Sequence, residues 1–150
     1  MDTNISHSDA AEIGEVFTPL QWAEWLLDRW GVYDAWLSGA TVCDPTAGQG
    51  VFALALLRLA SSRGEEITQE HVSRITLIEL HAEHLLAFKR KALHDFGVHF
   101  TDSQLIACDV ITNTPLNQYD ILVGNPPWAN FTDLPGWYKE ALKPCFIAEG

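Results

Sequence analysis

The chain has 150 residues, 20 of them acidic and 9 basic, so its formal charge at pH 7 is −11 with the six histidines neutral. Its 47% hydrophobic and 19% charged residues suffice for one packed core and exclude a chain that is mainly disordered. No run approaches the ~20 apolar residues that cross a bilayer, and the start Met1-Asp-Thr-Asn-Ile-Ser6 lacks the basic-then-apolar pattern of a signal peptide, so a cytoplasmic protein with no membrane partner is expected.

Residues 1–12 are polar and expected to be loosely held, and residues 13–38 read as an N-terminal helical segment. Thr18-Pro19 followed by Leu20, Trp22, Ala23, Leu26, Leu27 and Trp30 predicts a helix, with Thr18 as its cap, Pro19 in its first turn and Gly31 at its end. Ala40–Asp44 has a buried-strand pattern, and a glycine-containing turn leads from it to a nearly all-apolar helix from Gly50 to Ala60. Ser61 to Glu70 reads as a polar connection and Arg74–Glu79 as a second strand. His81–Phe96 predicts an amphipathic helix that offers Leu85, Leu86, Phe88, Ala92 and Leu93 to the core and stops at Gly97. Gln104–Asp109 makes a third strand and Tyr119–Gly124 a fourth, arriving at Asn125-Pro-Pro-Trp128. This alternation predicts an α/β, Rossmann-like, doubly wound and mostly parallel sheet in the order 3-2-1-4, with its switch point between strands one and four.

Ligands bind such sheets beyond the carboxyl ends of the strands at the switch point. Asp44-Pro45-Thr-Ala-Gly48-Gln-Gly50 falls there after strand one and Asn125-Pro126-Pro127-Trp128 after strand four, with Glu79 and Asp109 at the ends of strands two and three. Gly48-Gln-Gly50-Val-Phe-Ala53 also fits the dinucleotide fingerprint, so a nicotinamide or flavin enzyme has to be weighed. In that case Asp44 would sit against a pyrophosphate, whereas a carboxylate suits a cation. S-adenosylmethionine matches the set more fully, with its ammonium near Asp44, close backbone approach at the glycines and its ribose hydroxyls on Glu79.

Gly14-Glu-Val-Phe17-Thr18-Pro19, Asp44-Pro45-Thr-Ala-Gly48-Gln-Gly50, Glu79, Asp109 and Asn125-Pro126-Pro127-Trp128 resemble the ordered motifs of N6-adenine DNA methyltransferases. The resemblance is nearest to the large modification enzymes of restriction-modification and related phage-defence systems, and it spans roughly Gly14 to Trp128. It implies that Phe17, Thr18 and Pro19 help enclose the cofactor, that Asp109 contacts its adenine amino group, and that 39–150 is the first part of a methyltransferase catalytic domain. One departure is the distance from Gly50 to Glu79, longer than the ~20 residues usual between loop and ribose carboxylate; the stretch Ser61 to Glu70 absorbs the surplus.

The acceptor motif has its own physical logic. An exocyclic adenine amine is a poor nucleophile because its lone pair is delocalised into the ring. Acceptors aimed at its two hydrogens favour a pyramidal nitrogen, and the Asn125 side-chain oxygen with the Pro126 carbonyl can supply them. Pro127 stiffens the turn, Trp128 can stack on the base, and the base has to leave the duplex to arrive.

Blander roles compete at several positions. Phe17-Thr18-Pro19 also fits a helix cap with an apolar staple. His81 and His84 are expected on a solvated helix start rather than as metal ligands, and no metal is expected. Lys89-Arg90-Lys91 is expected on a solvated face, Trp22, Trp25, Trp30 and Trp36 in packing, and Cys43, Cys108 and Cys145 in the core as reduced thiols. RNA or protein-glutamine methylation is a rival of the same chemistry, and a non-catalytic S-adenosylmethionine-binding module a rival of another class. Four strands and one small basic cluster against a charge of −11 suggest a fragment that does not methylate DNA by itself. DNA would then be bound through a region beyond residue 150, and strand four would be an exposed edge prone to self-association.

Overall fold

The computed structural model describes residues 17–113, 117–128 and 130–147, with side chains up to residue 144. The expected loose segment 1–12, residues 14–16 of the Gly14-to-Pro19 element, and the Cys145 side chain lie outside the described residues.

Helix α1 (Leu20–Arg29) begins at Pro19, whose extended backbone (φ −61°, ψ 137°) makes it the N-cap without any side-chain hydrogen bond. Thr18 is therefore not the cap: its hydroxyl is engaged by Asn125, 107 residues away in sequence. Gly31, at φ 70°, ends α1 and admits a second, short helix α2 (Val32–Leu37) within the segment 13–38 read as helical. The expectation that the tryptophans pack is correct for Trp36, which is fully buried in α2, and wrong for three others. Trp22, Trp25 and Trp30 are 60%, 56% and 73% exposed. At 3.6 residues per turn, α1 turns inward the stripe holding Ala23 and Leu27, both fully buried, and leaves these tryptophans outside.

Strand β1 (Val42–Asp44) leads into helix α3 (Val51–Ser62), whose Phe52–Leu57 run is buried throughout. Helix α1 packs on α3, and the ion pairs Arg58–Glu24 (3.1 Å) and Arg63–Asp28 (2.6 Å) border that contact. The polar connection after α3 contains one further short helix, α4 (Gln69–Ser73), closed by a capping box between Thr68 and His71. Strand β2 (Ile75–Glu79) and helix α5 (Ala82–Phe96) follow. Leu85, Phe88 and Ala92 of α5 enter the core as expected, whereas Leu86 and Leu93 are exposed because they lie outside that stripe. Strands β3 (Leu105–Ala107) and β4 (Ile121–Leu122) are shorter than their sequence patterns.

The sheet is parallel in every pairing, in the order β3-β2-β1-β4. That is the doubly wound order, and it puts the switch point between β1 and β4. The two-residue β4 is secured at its start by Thr41, whose backbone N–H and hydroxyl both donate to Asp120 Oδ2 at 2.8 Å. These donors hold the Asp120 carboxyl below its ordinary pKa. Among the described residues β4 is the last strand of the sheet, as expected, and the Leu122 side chain on one of its faces is 68% exposed. A 3-10 turn (Phe131–Asp133) and helix α6 (Gly136–Ile147) follow, and among the described residues no strand succeeds β4. Among the same residues no helix is long and apolar enough to cross a membrane.

Candidate cofactor and acceptor site

The glycine loop turns from β1 into α3 through two residues in the left-handed region, Gly48 at φ 52° and Gly50 at φ 73°. At Gly50 the demand is doubled, because a Cβ there would overlap the Phe88 ring. The loop is fastened to β2: Ala47 N–H donates to the Ile78 carbonyl at 2.9 Å, and Gly48 N–H donates to Glu79 Oε2 at 2.7 Å. Glu79 Oε1 accepts from the His81 backbone N–H at 2.9 Å. A carboxylate offers about four acceptor positions, so two backbone donors orient Glu79 and leave it able to take further hydroxyl donors.

Asp44, at the end of β1, is 3% exposed. Burial pushes its carboxyl up to about 7; the Thr46 N–H, donating to Oδ1 at 3.1 Å, works against this, and the nearby Glu79 charge adds to it. The end of β4 presses on the same carboxylate. A Cβ at Gly124 would lie 2.8 Å from Asp44 Oδ1 and 3.1 Å from Thr46 Oγ1, so only glycine lets the two strand ends close together. Cys43, just before, is buried with its thiol raised to about 11 by burial, which keeps it protonated. Cys108 is only partly buried.

His81 and His84 are not on a solvated helix start. Both are buried behind Glu79, their rings 5.3 Å apart, with His84 Nδ1 at 3.8 Å from Glu79 Oε1. The Phe17 ring lies edge-on to His84 at 6.2 Å. Among the described residues no group of three or more His, Cys, Asp or Glu side chains could hold a metal ion. Lys89 and Lys91 pair with Asp102 and Asp95 at the surface.

One cavity of about 780 Å³ joins these pieces. Phe17, Thr18, Asp44, Pro45, Gly48, Glu79, Asp109, Asn125, Pro126 and Pro127 all line it. Three of the sequence-predicted residues do not: Pro19 caps α1, Gly50 backs the loop against Phe88, and Trp128 stands exposed at the rim. The Phe17-Thr18-Pro19 element is more than a helix cap, because it bridges the two motifs. The Phe17 ring lies 3.6 Å from where a Gly48 Cβ would be, and Thr18 Oγ1 accepts from Asn125 Nδ2 at 3.2 Å. Asp109 closes its own turn, accepting from Ile111 N–H at 2.9 Å.

Sequence reasoning assigned no role to Thr46, His81, Gly124 or Tyr138. Thr46 Oγ1 and His81 Nε2 are buried polar atoms without a hydrogen-bond partner among the described residues, on residues that line the cavity. Thr46 sits within the quoted loop motif and His81 follows the strand-two carboxylate, so position alone could have flagged both. Tyr138 reaches the cavity from α6, which no local signal announces. No protein-family model matches this chain, and no curated protein matches it either.

Proposed function

We propose that the chain is the cofactor- and base-binding part of an S-adenosylmethionine-dependent methyltransferase acting on the exocyclic N6 of adenine in DNA. The observation that carries this reading is the convergence of Asp44, Gly48, Glu79, Asp109 and Asn125, from the ends of four parallel strands, on one cavity. The cavity has the size of a cofactor site, and its polar groups suit this cofactor. A buried carboxylate held near neutrality calls for a cation, which the ammonium group provides. Glu79 retains acceptor positions for two ribose hydroxyls, and Thr46 Oγ1 and His81 Nε2 are unpartnered polar atoms that a polar ligand would satisfy. A nicotinamide dinucleotide fits less well, since its pyrophosphate would meet Asp44 across the same loop.

S-adenosylmethionine, when bound, supplies a methyl group carried on a sulfonium sulfur. Asn125 Oδ1, with the Pro126 carbonyl beside it, accepts the hydrogens of the target amine and draws its nitrogen toward a pyramidal shape with a usable lone pair. The amide is neutral, so it does this without an added charge that would compete for the sulfonium. The proton that the nitrogen sheds after transfer passes to water. Trp128 offers its indole face to an adenine swung out of the duplex. With a chain charge of −11, duplex contacts require a local basic surface.

Tritiated-methyl transfer to adenine-containing DNA by the protein tests the reading. Asn125→Ala is expected to lose ~10²–10³ in rate with cofactor affinity largely kept. Near-normal turnover would reduce Asn125 to a turn residue, and label appearing on RNA or on protein glutamine would move the reaction to that substrate.

A further inference from the structure

The Asn125 amide is held from two sides. Nδ2 donates to Thr18 Oγ1 at 3.2 Å, and Oδ1 accepts from Trp128 Nε1 at 3.0 Å. An indole nitrogen only donates, so the Trp128 contact fixes which end of the amide faces the rim: it has to be the oxygen, since an NH₂ there would set donor against donor. The nitrogen end needs an acceptor, and a hydroxyl provides one. The last torsion of an asparagine is broad and roughly two-fold, so without such partners the amide would present either end.

We infer that Thr18 is a positioning residue: as acceptor for Asn125 Nδ2 it works together with the donor-only Trp128 indole at Oδ1 to lock the amide with its oxygen toward the target, and a planar amine, itself a donor, displaces the indole and takes over its half of the lock. The identity of that amine rests on the proposed function; the lock does not. Thr18 belongs to an element that precedes the sheet, so the fold recruits a residue remote in sequence to orient the acceptor motif. Trp128 is exposed, so it is free to swing aside once its hydrogen bond to Asn125 breaks.

Nuclear magnetic resonance of the ¹⁵N-labelled, ligand-free protein tests this through two signals, the Asn125 side-chain amide and the Trp128 indole N–H. The Asn125 amide protons are expected to exchange with water about two- to tenfold more slowly than those of an exposed asparagine, as one net hydrogen bond allows. Thr18→Val, nearly the same size but without an acceptor, should lower that protection and move the Trp128 signal toward that of an exposed indole. Thr18→Ser should restore both. The Trp36 indole, which donates to the His71 carbonyl at 2.9 Å, should keep its position and report an intact fold; if Thr18→Val loses it, Thr18→Ala takes its place. Adding 9-methyladenine should shift the Trp128 indole in the wild type and in Thr18→Ser. Unchanged Asn125 protection in the valine or alanine variant would overturn the lock, and an unmoved Trp128 signal on adding 9-methyladenine would overturn the displacement. No spectrum requires S-adenosylmethionine, so a protein that fails to bind the cofactor would refute the proposed function and leave this test standing.

Discussion

At the ends of β1 and β2 the cavity wall is tied to backbone, whereas β4 and the chain that follows it carry exposed apolar side chains. On the first side Glu79 takes two backbone N–H donors, the loop is bonded to β2, and Phe88 fills the space behind Gly50. On the second, a two-residue strand is held by the Thr41–Asp120 contact and Asn125 by Thr18 and Trp128, while Leu122, Trp128, Phe131 and Trp137 face outward. The contrast suits the two tasks of the proposed function. A small cofactor is bound best by a preformed site that loses little entropy on binding, while a base arriving on a large polymer needs a rim that can open.

The largest expected effect breaks the rigid side. Gly50→Val forces a branched side chain into the left-handed region and into the Phe88 ring. A loss of about 3 kcal/mol or more is expected, read in thermal unfolding as a fall of roughly 6–12 °C. A fall of only a degree or two would mean that the loop is as pliable as the β4 edge.

Asp44 sharpens the comparison, because there rigidity is set against stability. Its folded pKa, about 7, lies above the ordinary value of 3.8, so the folded state binds this proton more tightly than the unfolded one and ionisation works against folding. This contribution to stability is complete at low pH and is lost as pH rises from about 4 to about 7. Asp44→Asn should therefore stabilise the protein at pH 8 by on the order of 2–4 kcal/mol, with the gain vanishing near pH 4. Wild-type affinity for S-adenosylmethionine should rise through pH 7 as the carboxylate forms, and the asparagine variant should bind weakly at every pH.

The smallest effect belongs to the open edge. Leu122→Lys puts a charge on an exposed residue and should change monomer stability by no more than about 0.5 kcal/mol. It should lower any self-association seen by sedimentation, since a lysine on an open edge discourages strand pairing. Association unchanged by Leu122→Lys would place the contact elsewhere, and the exposed Trp22 and Trp25 pair is the next surface to alter.

The strand order and the gathering of Asp44, Glu79, Asp109 and Asn125 at strand ends were legible because alternating strands and helices leave few topologies. The faces of the helices were not. Apolar spacing identified α1 as a helix, but only its packing on α3 decides that Ala23 and Leu27 go in and three tryptophans stay out. The burial of His84 was hidden for a similar reason, since Phe17, edge-on to its ring, approaches from ahead of α1. The Thr18–Asn125 contact spans 107 residues, and no local pattern encodes a partner that distant.

Calorimetric titration of the chain with S-adenosylmethionine and with NADH at pH 8, repeated on Glu79→Gln, tests the central claim most directly. The account predicts saturable binding of S-adenosylmethionine, affinity for it well above that for NADH, and clear weakening in Glu79→Gln. Tighter binding of NADH, or S-adenosylmethionine affinity unaffected by Glu79→Gln, would contradict it.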